Sequence, residues 1–73
     1  MSTKTIIAAF YKFFDFDDYA EQKEPLETFC KAHDVFGTIL VAHEGVNGTI
    51  AGPRAGIDAV LAYLRSDARM ADL

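Results

Sequence analysis

The chain is poor in anything that cross-links or anchors a small protein. Its 73 residues include one cysteine, Cys30, so no disulfide can close within it. Two histidines beside that single thiol, His33 and His43, give no ligand spacing for a structural metal. Seven Lys and Arg stand against eleven Asp and Glu, a net charge of −4. A field of that sign does not attract phosphate over the whole surface, although a local basic patch is still compatible with it. No apolar run approaches the roughly 18–20 residues of a membrane span, and the start Met1-Ser2-Thr3-Lys4-Thr5 has no apolar signal core. The expectation is a cytoplasmic chain in a reducing setting, with no membrane partner.

Apolar residues make up 51% of the sequence, enough to bury a core rather than stay disordered. Length and the absence of Gly/Ser/Pro linkers or repeats predict one domain over residues 1–73. Thr5 to Phe14 (TIIAAFYKFF) is rich in β-branched and aromatic residues and reads as a strand. Pro25 suits a helical first turn, and Leu26, Phe29, Cys30 and His33 share one face at i, i+3, i+4 and i+7, which predicts a helix over 24–34. Phe36 to Val46 reads as a second strand. Asn47-Gly48 tolerates the positive φ angles of a two-residue turn, so Thr49 to Ala51 is expected to return as a third strand. That register puts Ile39, Val41, His43 and Ile50 on the core side. Pro53 opens a second helix over 54–66, carried by the stripe Ile57, Val60, Leu61 and Leu64.

The order β-α-β-β-α is that of an α+β, ferredoxin-like or acylphosphatase-like split βαβ fold without its fourth strand. Ala71-Asp72-Leu73 reads as the opening of that strand, cut short, which implies an amino-terminal piece of a longer protein. The first strand would then be a sheet edge able to pair with a second copy. On the first strand, Lys12 selects the set Ile6, Ala8, Phe10, Lys12 and Phe14 as the open face.

The side chains assemble no catalytic, metal or cofactor site. His43 and Glu44 are neighbours in a strand and point to opposite faces, so they form no acid–base pair. Cys30 lies on the apolar stripe and lacks a cation to activate it. The glycines at 45 and 48, with Glu44 and Asn47, form a turn motif between strands, with no lysine and no following helix of the phosphate-loop kind. The cluster Asp15, Asp17, Asp18, Glu21 and Glu24 lacks the glycine and terminal Glu of a calcium loop.

Tyr11-Lys12-Phe13-Phe14 and the string Gly37 to Gly52, with Glu44-Gly45-Val46-Asn47-Gly48-Thr49-Ile50-Ala51-Gly52 at its heart, resemble the amino-terminal domain of the bacterial rhodanese-fused tRNA uridine hydroxylases. That family oxygenates the wobble uridine to 5-hydroxyuridine. The resemblance implies that the catalytic cysteine belongs to a rhodanese-like domain beyond these residues, that this chain alone is inactive, and that it helps hold tRNA or position that domain. Lys12, His43, Asn47 and Arg54 are the implied RNA contacts. An acylphosphatase activity is not expected, because the acids 15, 17 and 18 stand where a phosphate would be bound. A regulatory small-molecule domain and a plain interdomain scaffold are the competing readings.

Overall fold

The computed structural model describes residues 5–73; Met1 to Lys4, read above for a targeting signal, lie outside the described residues. Strand β1 runs Ile6–Phe13, helix α1 Tyr19–Ala32, β2 Phe36–Ala42, β3 Gly45–Gly52 and helix α2 Arg54–Arg65, followed by a 3₁₀ turn over Ala68–Met70. The three strands form an antiparallel sheet in the order β1-β3-β2. Both helices cover one face, and their stripes close on a core of Phe16, Leu26, Val35, Val46, Ile50, Ile57, Val60, Leu64 and Met70. The element order and class are those expected of the split βαβ fold. With β3 in the middle, β1 is an edge strand among the described residues.

The hairpin differs from the sequence expectation. Its two-residue connection is His43-Glu44, and Asn47-Gly48 lies inside β3. Two physical demands account for the glycines. Gly45 takes φ +140°, and a Cβ there would stand 2.1 Å from the Lys12 carbonyl oxygen, so the chain leaves the turn through a conformation that glycine alone adopts readily. Gly48 faces the Phe10 ring, whose Cζ would lie 3.0 Å from an added Cβ. The turn centre therefore moves four residues toward the amino terminus. An even shift preserves the alternation of faces, which is why Ile39, Val41 and Ile50 still stand on the core side while Val46 joins them and His43 moves into the turn.

Helix α1 also begins earlier than expected, at Tyr19 instead of 24, and Pro25 sits inside it. Pro25 cannot donate to the preceding turn. It is exposed, so the carbonyl it leaves unpaired can face water. The helix start is held by backbone donation from Glu21 and Gln22 to the Asp18 carbonyl and by Gln22 Nε2 donating to Asp18 Oδ2 at 3.0 Å. It ends at Ala32, two residues early, because Asp34 turns the chain with φ +58° and Val35 N–H reaches back to the Cys30 carbonyl. Phe29 stacks on Tyr63 of α2 with ring centroids 4.4 Å apart. Pro53 caps α2 from the position before its first residue.

The open face is the other one. Ile7, Ala9, Tyr11 and Phe13 point away from the helices, whereas Ile6, Ala8, Phe10 and Phe14 pack against the core. Lys12 misled the assignment because it lies near the end of β1. From there its stem stays half-buried on the helix side while the ammonium reaches out to an ion pair with Asp72, the usual way a long cation covers apolar surface.

Candidate interaction site

The four residues implied as RNA contacts do not converge. Lys12 is on the helix side of β1, paired with Asp72. His43 is in the hairpin turn at the same end of the sheet, with Nε2 3.3 Å from Asp17 Oδ1. Asn47 points from β3 to the open face between Tyr11 and Leu40. Arg54 opens α2 just after Gly52, which pairs with Ile6 at the far end of the sheet.

The sequence reading missed Arg69. Its guanidinium donates to Asp18 Oδ1 at 2.7 Å and to Asp67 Oδ2 at 2.6 Å and lies over the Phe16 ring, 4.9 Å from its centroid. It ties the last turn of the chain to the start of α1. No local pattern announces this, since Asp18 and Arg69 are fifty-one positions apart. The Arg69 bond, with help from Gln22, holds the Asp18 carboxyl down at about 2 from the ordinary 3.8, and Arg69 also lowers Asp67. Carboxylates lowered by folding stabilise the native state above their unfolded pKa and cease to do so as pH falls through the folded value. Thermal unfolding scans should therefore show stability falling from pH 4 down to about 2, and Arg69→Met should flatten that decline.

The loop that joins β1 to α1 contains Asp15, Asp17 and Asp18 around the buried Phe16, so it offers an anion no cradle. Cys30 is half-buried on α1, and burial followed by the nearby Glu27 charge raises its thiol pKa, the opposite of what a nucleophile needs. Beside it, a groove of about 370 Å³ between α1 and β2 is lined by Leu26, Cys30, Val35 and Ile39, with Lys23 and Lys31. Its polar lining, Lys23, Glu27, Lys31 and Thr38, is solvent-exposed, and no polar side chain is buried among the described residues, so nothing fixes those groups in the geometry by which pockets orient small ligands.

What the structure does present is a flat apolar surface. Across the open face the rows are Ile7-Ala51-Phe36, Ala9-Thr49-Thr38, Tyr11-Asn47-Leu40 and Phe13-Gly45-Ala42. Among the described residues, every exposed large apolar side chain except Tyr19 stands in these rows. Not one of the twelve positions is charged. Tyr11 and Phe13 meet edge to face with centroids 5.8 Å apart.

Residues 5–73 match the model of the UPF0176 acylphosphatase-like domain. The chain belongs to that family. Over 71 residues, 97% of its length, it is 61% identical to a tRNA uridine(34) hydroxylase of Albidiferax ferrireducens, covering 22% of that relative. Proteins of the same description in Sinorhizobium medicae and a Picosynechococcus species are 52% and 48% identical over 68 residues, 93% of the chain, which cover 22% and 23% of them. The chain thus spans less than a quarter of the length of these relatives. No helix among the described residues is long and apolar enough to cross a membrane.

Proposed function

We propose that the chain is the non-catalytic domain of a cytoplasmic tRNA uridine(34) hydroxylase, positioning a rhodanese-like catalytic domain for 5-hydroxylation of the wobble uridine and holding no cofactor of its own. Family membership supports the parent activity. The observation that favours positioning over tRNA binding is that the cations form no open patch: of the six among the described residues, Lys12 pairs with Asp72, Arg69 with Asp18 and Asp67, and Arg65 donates to the Leu73 carbonyl at 2.8 Å, while Lys23 and Lys31 lie on α1 and Arg54 opens α2. Side chains held by the chain's own oxygens have little to offer phosphates, whose binding depends on replacing counterions with available cations.

A chimera tests the reading, with residues 1–73 replacing the matched stretch of the Albidiferax ferrireducens enzyme. Deleting the domain from it is expected to lower the hydroxylation rate at saturating tRNA while tRNA affinity changes by less than about threefold. An affinity loss that tracks the activity loss would overturn positioning in favour of RNA binding. So would salt-sensitive amide shifts at Lys12, His43, Asn47 and Arg54 in the 73-residue chain titrated with an anticodon stem-loop.

A further inference from the structure

We propose that the open face of the sheet, centred on Tyr11, Phe13, Phe36 and Leu40, is the docking surface for an uncharged apolar face of the catalytic remainder of the same polypeptide. The inference rests on the reading above that the chain works as one domain of a longer hydroxylase. Three observations choose this occupant.

The first is charge. An RNA-binding sheet stacks bases on aromatic rings and neutralises the adjoining phosphates with Lys or Arg. Here all twelve face positions are neutral, Lys12 turns to the opposite side, and the chain carries a net −4. The second is area. Four same-face residues along three strands, at about 4.8 Å between strands and about 6.6 Å along each, make a footprint on the order of 400 Å². This is a planar outline, and the accessible surface over it, with Tyr11, Phe13 and Phe36 each more than two-thirds exposed, is larger and closer to the roughly 800 Å² each partner gives to a stable interface. A tethered partner, at an effective concentration in the millimolar range, occupies such a face ahead of a second copy at ordinary protein concentrations. The third is length. More than three quarters of each relative lies outside the stretch this chain matches, so a tethered partner is at hand in that architecture.

Nitration of Tyr11, quantified by mass spectrometry, reads the occupancy of the face. In the 73-residue chain Tyr11 is 72% exposed and should react readily. In the chimera it should react about tenfold more slowly, the protection expected when an intrinsic dissociation constant of about 0.1 mM meets an effective concentration of about 1 mM. The triple variant Tyr11→Thr, Phe13→Thr, Leu40→Thr retains strand-forming residues. It should leave the melting temperature of the 73-residue chain nearly unchanged and, in the chimera, separate the domain's thermal transition from that of the remainder. Equal nitration in chain and chimera would overturn the proposal. Protection that appears only with an anticodon stem-loop would assign the face to RNA, and protection in the 73-residue chain together with dimeric sedimentation would assign it to a second copy. Undiminished hydroxylation after deletion of the domain would defeat the functional reading instead, and Tyr11 protection in the chimera would still report docking.

Discussion

Phe16→Ala is expected to bring the 73-residue chain to the edge of unfolding at 25 °C. Phe16 follows β1, is 1% exposed, and is fixed by its own N–H donating to the His43 carbonyl at 2.9 Å. Its ring packs on Phe14 with centroids 4.9 Å apart and lies under the Arg69 guanidinium. Removing a buried phenyl ring costs about 3–5 kcal/mol, and a single core of this size rarely supplies more than about 3–5 kcal/mol in total. Urea titration followed by far-UV circular dichroism should show the folded baseline shortened or lost. Phe13→Ala is the control. Three positions away on the open face and 79% exposed, it should change stability by no more than about 1 kcal/mol.

The second large effect is expected at Gly45. Gly45→Ala places a Cβ 2.1 Å from the Lys12 carbonyl oxygen and 3.0 Å from the Phe13 Cα, both backbone atoms of β1. The neighbours cannot swing aside as a side chain would. Backbone strain at such a φ costs about 1–3 kcal/mol, and parting the last β1–β3 pair forfeits about 1 kcal/mol for each hydrogen bond lost. A destabilisation of about 2–4 kcal/mol should result, with faster amide exchange at the hairpin end of β1. Gly48→Ala should cost less, because part of what its Cβ meets is the Phe10 ring edge and the Ile39 side chain, which can move. If the two substitutions proved equal and mild, the motif glycines would owe their presence to something other than backbone geometry.

These glycines also show how far the sequence could be read. The strands, the α2 stripe and the helix-covered sheet were legible because periodicities of 2 and 3.6 are local signals. The hairpin centre was not. Asn-Gly is a strong turn signal, but it lost to a long-range demand, the fit of Gly48 beneath Phe10, thirty-eight positions earlier on β1. Lys12 selects the wrong open face because it stands near the strand end, where a long stem can turn back to a partner, Asp72, sixty positions away. Arg69 was invisible for the same reason, being defined by Asp18 and Phe16 across the whole chain. The implied contacts at Lys12, His43, Asn47 and Arg54 came from family likeness, which carries residue types across and says nothing of whether they converge.

The sheet order has a consequence during synthesis. Strand β1 is made before the other two, yet among the described residues its only strand neighbour is β3, which ends thirty-nine residues later at Gly52. At translation rates of about 5–20 residues per second, the apolar segment Ile6–Phe13 waits roughly 2–8 s for its partner. The β2–β3 hairpin, whose contacts are local, can close first and serve as the template on which β1 anneals. During that interval the newborn chain offers an unpaired, sticky ribbon to whatever meets it at the ribosome exit. Chaperone capture at this stage should therefore depend on the spacing between β1 and β3 more than on the stability of the finished domain.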